Sequence, residues 1–166
     1  LYATNPTRTI FKIDFSNFGL SRYANNLPYL DFPTIGEGNT PLVRMKRLGD
    51  ELGLRNLWVK NEGQNPTGSH KDRFSPFVIA RAKSMGFDTV AVASSGNAGT
   101  SIAAYSAAAN LRCVVLTTKN INPIWKQAIE QTGAKIIYKE KPMDRWEHLK
   151  NKVLSNKWFP ATKFIN

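Results

Sequence analysis

The run Thr89-Val90-Ala91-Val92-Ala93 constrains the fold more than any other part of this chain. From Val90 onward its side chains are apolar whichever way they point, so neither face of the segment suits water. A strand of that kind belongs in a sheet covered on both faces. Ser94-Ser95-Gly96-Asn97-Ala98-Gly99 follows at once. These residues form a tight turn into an alanine-rich segment that reads as a helix to about Ala109.

The same alternation runs along most of the chain. Residues 56–60 are a strand candidate, and a helix is predicted from about Lys71 to Met85. Strands are also predicted over 112–117 and 135–138, and helices over 123–131 and 145–154, with Gly133 ending the former as a C-terminal cap. Strands and helices alternating at this spacing predict an α/β fold, a parallel sheet with helices on both faces. The first 35 residues lack a clean period and are punctuated by Asn5-Pro6, Asn25-Asn26-Leu27-Pro28 and Phe32-Pro33. They read as an irregular arm packed on something else. Residues 37–42 read as a turn into a short segment. Open parallel sheets take ligands where strands end and helices begin. That rule singles out residues 65–71 and 94–99.

Composition narrows the function classes. Hydrophobic residues are 42% and charged residues 21%, which argues against wholesale disorder. No apolar run approaches the roughly 20 residues that span a bilayer. The first residues, Leu1-Tyr2-Ala3-Thr4, lack the pattern of a secretory signal and an initiator Met, which fits processing or excision from a longer chain. One cysteine, Cys113, reads as a packed core thiol. With two histidines it makes too small a set for a zinc site, so no metal is expected. The net charge of +11 admits three readings: nucleic-acid binding, a missing acidic half, or attraction of small anions. The basic residues form no single tract with interleaved aromatics, which argues against nucleic acid.

Two loops carry chemistry. In the first, Gly96 and Gly99 allow a tight turn and close approach of the backbone to a ligand. The following helix offers unpaired N–H groups and a positive dipole end, and Ser94, Ser95 and Asn97 add polar groups. This is an anion pocket for a carboxylate or phosphate. On composition alone it reads equally well as an N-capped helix with small residues for packing. In the second, Asn65-Pro66-Thr67-Gly68-Ser69-His70-Lys71-Asp72-Arg73, Ser69 caps a helix and Lys71 falls in its first turn. A cation is disfavoured there, and the neutral amine that Schiff-base chemistry requires is favoured. Taken alone, Lys71 reads more readily as a solvated surface lysine beside Asp72.

The two loops together, with Gly38-Asn39-Thr40-Pro41-Leu42 before them, change that weighing. Their order and spacing resemble the tryptophan-synthase-beta-like pyridoxal-phosphate (PLP) enzymes, fold type II, and among them the threonine synthases. Gly133-Ala134 before an apolar strand adds to the resemblance, which covers roughly residues 35–140. It implies that Lys71 forms a Schiff base with PLP and moves protons at the substrate's α and β carbons. Asn97 would hydrogen-bond the phenolic oxygen of the cofactor ring, and His70 would flank that ring where threonine synthases more often have Phe. Ser94, Ser95 and the backbone at Ala98 and Gly99 would hold the substrate carboxylate. Thr40 would lie near the substrate entrance, and Asp72 and Arg73 would form a structural ion pair.

The resemblance also implies a discontinuous large domain. Residues 1–50 would be an arm and part of that domain, 51–150 a small α/β domain bearing both loops, and 151–166 the start of a return to the large domain. The family holds the PLP phosphate in a glycine-rich loop well downstream, and none follows Gly99 here. An incomplete chain that does not bind PLP tightly by itself is therefore expected. The implied activity is a lyase converting O-phosphohomoserine to threonine and phosphate. Alternatives are another β-elimination or replacement enzyme (serine or threonine dehydratase, diaminopropionate ammonia-lyase, cysteine synthase) and a non-catalytic α/β fragment with a basic binding face. Partners would be an amino-acid substrate and, at full length, further copies of the chain, with no membrane. Cytoplasm is the default compartment and a plastid the alternative.

Overall fold

The computed structural model describes residues 12–155 and 157–162. Four parallel strands form the central sheet in the order β5-β4-β3-β6: β3 (Thr89–Ala93), β4 (Arg112–Thr118), β5 (Lys135–Lys139) and β6 (Phe159–Pro160). Helices α2 (Ser75–Ser84), α3 (Asn97–Ala108), α4 (Pro123–Glu130) and α5 (Pro142–Leu154) connect or flank them. Two-residue periodicity sorts the strand side chains between two cores. Val90, Val92, Cys113 and Val115 point to one face and pack with Ile79, Ile102 and Ile129 from α2, α3 and α4. Ala91, Val114 and Leu116 point to the other and meet Leu149 and Trp146 of α5. Both faces of β3 are thus dry, as its sequence requires. Each fully buried aliphatic side chain, such as Ile102 or Leu149, contributes about 2 kcal/mol of transfer free energy.

Several predicted elements take a different form. Residues 56–60 do not join the parallel sheet. Trp58–Lys60 is β2, paired antiparallel with β1 (Leu42–Arg44) in a separate two-stranded sheet, with α1 (Lys46–Glu51) between them. All six strand residues are exposed, so no core selects a crossover there. The helix expected from Lys71 is divided. A short 3-10 turn, His70–Arg73, precedes α2, whose start carries Pro76. The proline ring restricts the residue before it and suits a first helical turn, not a helix interior. Helix α5 begins three residues earlier than expected, at Pro142, where Asp144 Oδ2 accepts the Lys141 N–H at 3.2 Å. The strand β6 was not foreseen. It is two residues long and contains a proline, which an edge strand tolerates.

The helix end expected at Gly133 forms, and the described part of the N-terminal segment packs on α2 and α3. Gly19–Asn26 is a 3-10 segment, and the arm is fastened through the buried Glu37 carboxylate. Its Oε2 accepts the Tyr105 hydroxyl at 2.9 Å and the Thr34 hydroxyl at 2.9 Å, and its Oε1 accepts the Leu20 N–H at 3.1 Å. Phe32 packs edge-on against Phe77 of α2 at 5.0 Å between centroids. Gly133, at φ +77°, ends α4 in the left-handed conformation that a side chain would disfavour. Asn5-Pro6 lies outside the described residues.

Candidate active site at the carboxyl edge of the sheet

The lysine turn is built from its neighbours' polar groups. Ser69 Oγ accepts the Lys71 N–H at 3.3 Å, the cap read from sequence. Asp72 has no exposed surface, yet among the described residues it pairs with no arginine. Its Oδ2 accepts the Thr67 N–H at 2.7 Å, and its Oδ1 accepts the hydroxyls of Thr67 at 2.5 Å and Ser101 at 2.6 Å. Ser101 belongs to α3 and also meets Ser75 of α2 at 2.6 Å. The carboxylate therefore pins the lysine turn to the helix that leaves the serine–asparagine turn. The expected Asp72–Arg73 ion pair is not formed. Arg73 instead grips Glu62, Nε to Oε2 at 2.5 Å and Nη2 to Oε1 at 2.8 Å. Consecutive side chains on so short a turn diverge, and Asp72 points inward while Arg73 points out.

Thr40 joins that second knot. It is buried, donates to Glu62 Oε1 at 2.8 Å and accepts from Arg73 Nη2 at 3.2 Å. Asn65 Oδ1 accepts the Gly38 N–H at 3.0 Å, so residues 38–40 are tied to the lysine turn. The hydrogen bond from Arg73 holds the Glu62 carboxyl down at a pKa of about 2, with help from Thr40 and Asn65 and against the cost of desolvation. Lys71 Nζ lies 3.1 Å from His70 Nε2. A 3-10 turn of four residues carries little aligned dipole, so the expected long-helix field at Lys71 is not present. The His70 contact is the local polar partner of the amine.

The second turn is more occupied than its sequence suggests. Ser94 Oγ accepts the N–H groups of Gly96 at 3.3 Å and Gly99 at 3.0 Å. Gly99 N–H also reaches Gly96 O at 2.9 Å, so it is satisfied within the turn. A Cβ at Gly99 would lie 3.2 Å from Val115 and 3.3 Å from Ser94, which explains the glycine there. Asn97 and Ala98 are the first two residues of α3, where N–H groups have no intrahelical acceptor. Asn97 is exposed. Ser95 Oγ accepts from Thr117 Oγ1 at 3.0 Å and from Arg145 Nη1 at 2.8 Å.

Lys71 and Ala98 line one cavity of about 700 Å³, with Ala93 at the end of β3, Phe74, Phe77 and Trp146. The two turns therefore open on a common space at the carboxyl edge of the sheet. Of the residues singled out from the sequence only Lys71 and Ala98 are part of the wall; Ser94, Ser95, Asn97 and Gly99 stand next to Ala98 on its turn but do not line the cavity, nor do Thr40 and His70. A cavity of about 750 Å³ also lies at the opposite, amino edge of the strands, among Asp88, Arg112 and Lys135. Its position does not match where open α/β sheets take ligands. Sequence reasoning missed Arg145, Thr117, Arg81 and the aromatic wall. Thr117 and Arg145 lie 22 and 50 residues from Ser95, and nothing in the local sequence marks any of these residues as facing the site. Among the described residues no helix is long and apolar enough to cross a membrane.

The cavity's amine fits a ligand that carries an aldehyde, with which a primary amine forms a Schiff base. The wall offers one primary amine, Lys71, and one guanidinium, Arg81, with aromatic rings and no carboxylate among the described residues. Fold and site together define an α/β protein whose lysine turn and the start of α3 open on one cavity. A profile of the family described as "Pyridoxal-phosphate dependent enzyme" matches residues 33–166, and this chain belongs to that family. Threonine synthase of Methanocaldococcus jannaschii is 42% identical over 130 residues, 76% of this chain and 32% of that protein. Threonine synthase of Mycobacterium leprae is 36% identical over 152 residues, 89% of this chain and 41% of that protein. Among solved structures, O-ureido-L-serine synthase superposes with TM-score 0.66 at 31% identity, covering 78% of this chain and 42% of that one. Escherichia coli diaminopropionate ammonia lyase superposes with TM-score 0.70 at 19% identity, which bears on the fold alone, and covers 78% and 41%. The chain thus spans about a third to two fifths of these relatives' length.

Proposed function

We propose that this chain is part of a threonine synthase, a PLP-dependent lyase that converts O-phosphohomoserine and water into threonine and phosphate, the phosphate leaving from the γ carbon and the water adding at the β carbon. The observation that carries the reading is the shared cavity of Lys71 and Ala98 at the carboxyl edge of the sheet. Lys71 and Asn97 would hold the cofactor, with His70 against the lysine amine. When bound, the cofactor supplies an electron sink for the charge that develops at the substrate's α and β carbons. Lys71 Nζ takes the proton from the α carbon and returns protons along the substrate chain. Ser95 and the free N–H groups at the start of α3 hold the substrate carboxylate. Asp72 keeps the lysine turn against α3, so that the amine and the carboxylate site keep one separation. Phe74, Phe77 and Trp146 give the cavity an apolar wall beside the amine. The 42% identity to an archaeal threonine synthase supports this substrate over others.

A second reading, β-replacement on a serine-like substrate, is favoured by the 31% identity to O-ureido-L-serine synthase. Full-length protein loaded with PLP distinguishes the two. With O-phospho-L-homoserine, threonine and inorganic phosphate should appear in equal amounts, and K71A should form neither. No turnover of that compound, with turnover of O-acetyl-L-serine and a nucleophile, would replace the first reading by the second.

A further inference from the structure

We infer that Arg145 is a positioning residue for the carboxylate site, acting through the hydroxyl of Ser95. The inference rests on the reading that the turn at residues 94–99 holds the substrate carboxylate. A serine hydroxyl has one hydrogen to donate and two lone pairs to accept with. Thr117 Oγ1, at the end of β4 and fully buried, donates to Ser95 Oγ at 3.0 Å. Arg145 Nη1, from the first turn of α5, donates to the same oxygen at 2.8 Å. Both lone pairs are then filled, and the hydrogen of Ser95 is left to donate outward. An outward O–H beside the start of α3 is suited to an anion. The guanidinium is itself fixed, because Arg145 Nε donates to Pro142 O at 3.1 Å. Among the described residues no carboxylate forms an ion pair with it, so its charge also favours an anion at Ser95. Charge-assisted donation to Ser95 oxygen further polarises the O–H that faces the ligand.

Arg145 thus couples α5 to substrate affinity, although α5 contributes no residue to either loop. The arrangement makes three demands on experiment. Truncating Arg145 must weaken carboxylate binding more than it alters the cofactor. The effect must vanish when Ser95 has no hydroxyl. A free guanidinium ion must restore part of it.

The test uses PLP-loaded full-length protein titrated with O-phospho-L-homoserine, L-threonine and L-serine, each of which carries an α-carboxylate, while the cofactor's visible absorption is followed. For whichever compounds shift the wild-type spectrum, R145A should weaken binding about tenfold, the loss of one charge-assisted hydrogen bond. The spectrum of the ligand-free protein should not change, and millimolar guanidinium should recover part of the affinity. In the S95A background, R145A should have no further effect. Unchanged affinity in R145A, or equal losses with and without Ser95, would overturn the inference. R145K guards against a folding defect in R145A. It keeps the charge without the fork that spans Pro142 O and Ser95, so an intermediate loss is expected, and wild-type affinity would count against the inference. If none of the three compounds shifts the wild-type spectrum while borohydride fixes cofactor on Lys71, the carboxylate role falls and the lysine reading stands. If Lys71 is not labelled, the functional reading falls and takes the inference with it.

Discussion

Replacing Asp72 tests how the lysine turn is held. The carboxylate has no exposed surface and receives three donors: the Thr67 amide at 2.7 Å and the hydroxyls of Thr67 and Ser101 at 2.5 and 2.6 Å. In D72A the Ser101 hydroxyl can turn fully to Ser75, and the Thr67 hydroxyl can rotate. The Thr67 amide cannot follow, and a small void remains. One orphaned buried donor costs about 1–3 kcal/mol, and with the two weakened hydroxyls the total is about 3 kcal/mol. D72N keeps the shape and one acceptor oxygen but sets an amide N–H against a donor, for about 1–2 kcal/mol. With a urea slope of about 2 kcal/mol/M, D72A should lower the unfolding midpoint by roughly 1.5 M and D72N by roughly half that. Equilibrium urea unfolding followed by tryptophan fluorescence reads both. A D72A midpoint within about 0.2 M of the parent would refute the reasoning, since it would mean that the buried bonds contribute nothing net.

Two other predictions concern titrating groups. The Glu62 carboxyl is held at a pKa of about 2 by Arg73, well below its ordinary 4.5. A depressed acid binds fewer protons folded than unfolded between those values, so its stabilisation is present above pH 4.5 and is lost as pH falls toward 2. E62Q should flatten the pH dependence of the thermal midpoint across that window, and an unchanged slope would count against the Arg73 pairing. Burial raises the Cys113 thiol to a pKa of about 12, so it should resist a disulfide reagent at pH 8 in native protein and react fully in urea. Rapid labelling without denaturant would place that thiol outside the core.

The sequence made legible what depends on neighbours along the chain. The dry strand at 89–93, the Ser69 cap and the Gly133 helix end all appear where local chemistry puts them. What it hid depends on contacts made at a distance. The resemblance pairs Asp72 with Arg73, its neighbour in sequence, which the fold turns the other way. The Asp72 donors Thr67 and Ser101 sit 5 and 29 residues away. Arg145 reaches Ser95 across 50 residues, and no local pattern marks an arginine on a helix as the donor to a distant hydroxyl oxygen. Residues 56–60 show strand chemistry in either setting, and only the absence of a covering helix tells that they pair antiparallel at the surface. The proline in β6 disguised it, since edge position is a tertiary fact.

The account rests on one amine carrying the cofactor in the cavity it shares with the start of α3. Full-length protein incubated with PLP, reduced with borohydride and digested should yield a single pyridoxyl peptide with the modification on Lys71. Label spread over the many exposed lysines, or fixed on one other than Lys71, would contradict it.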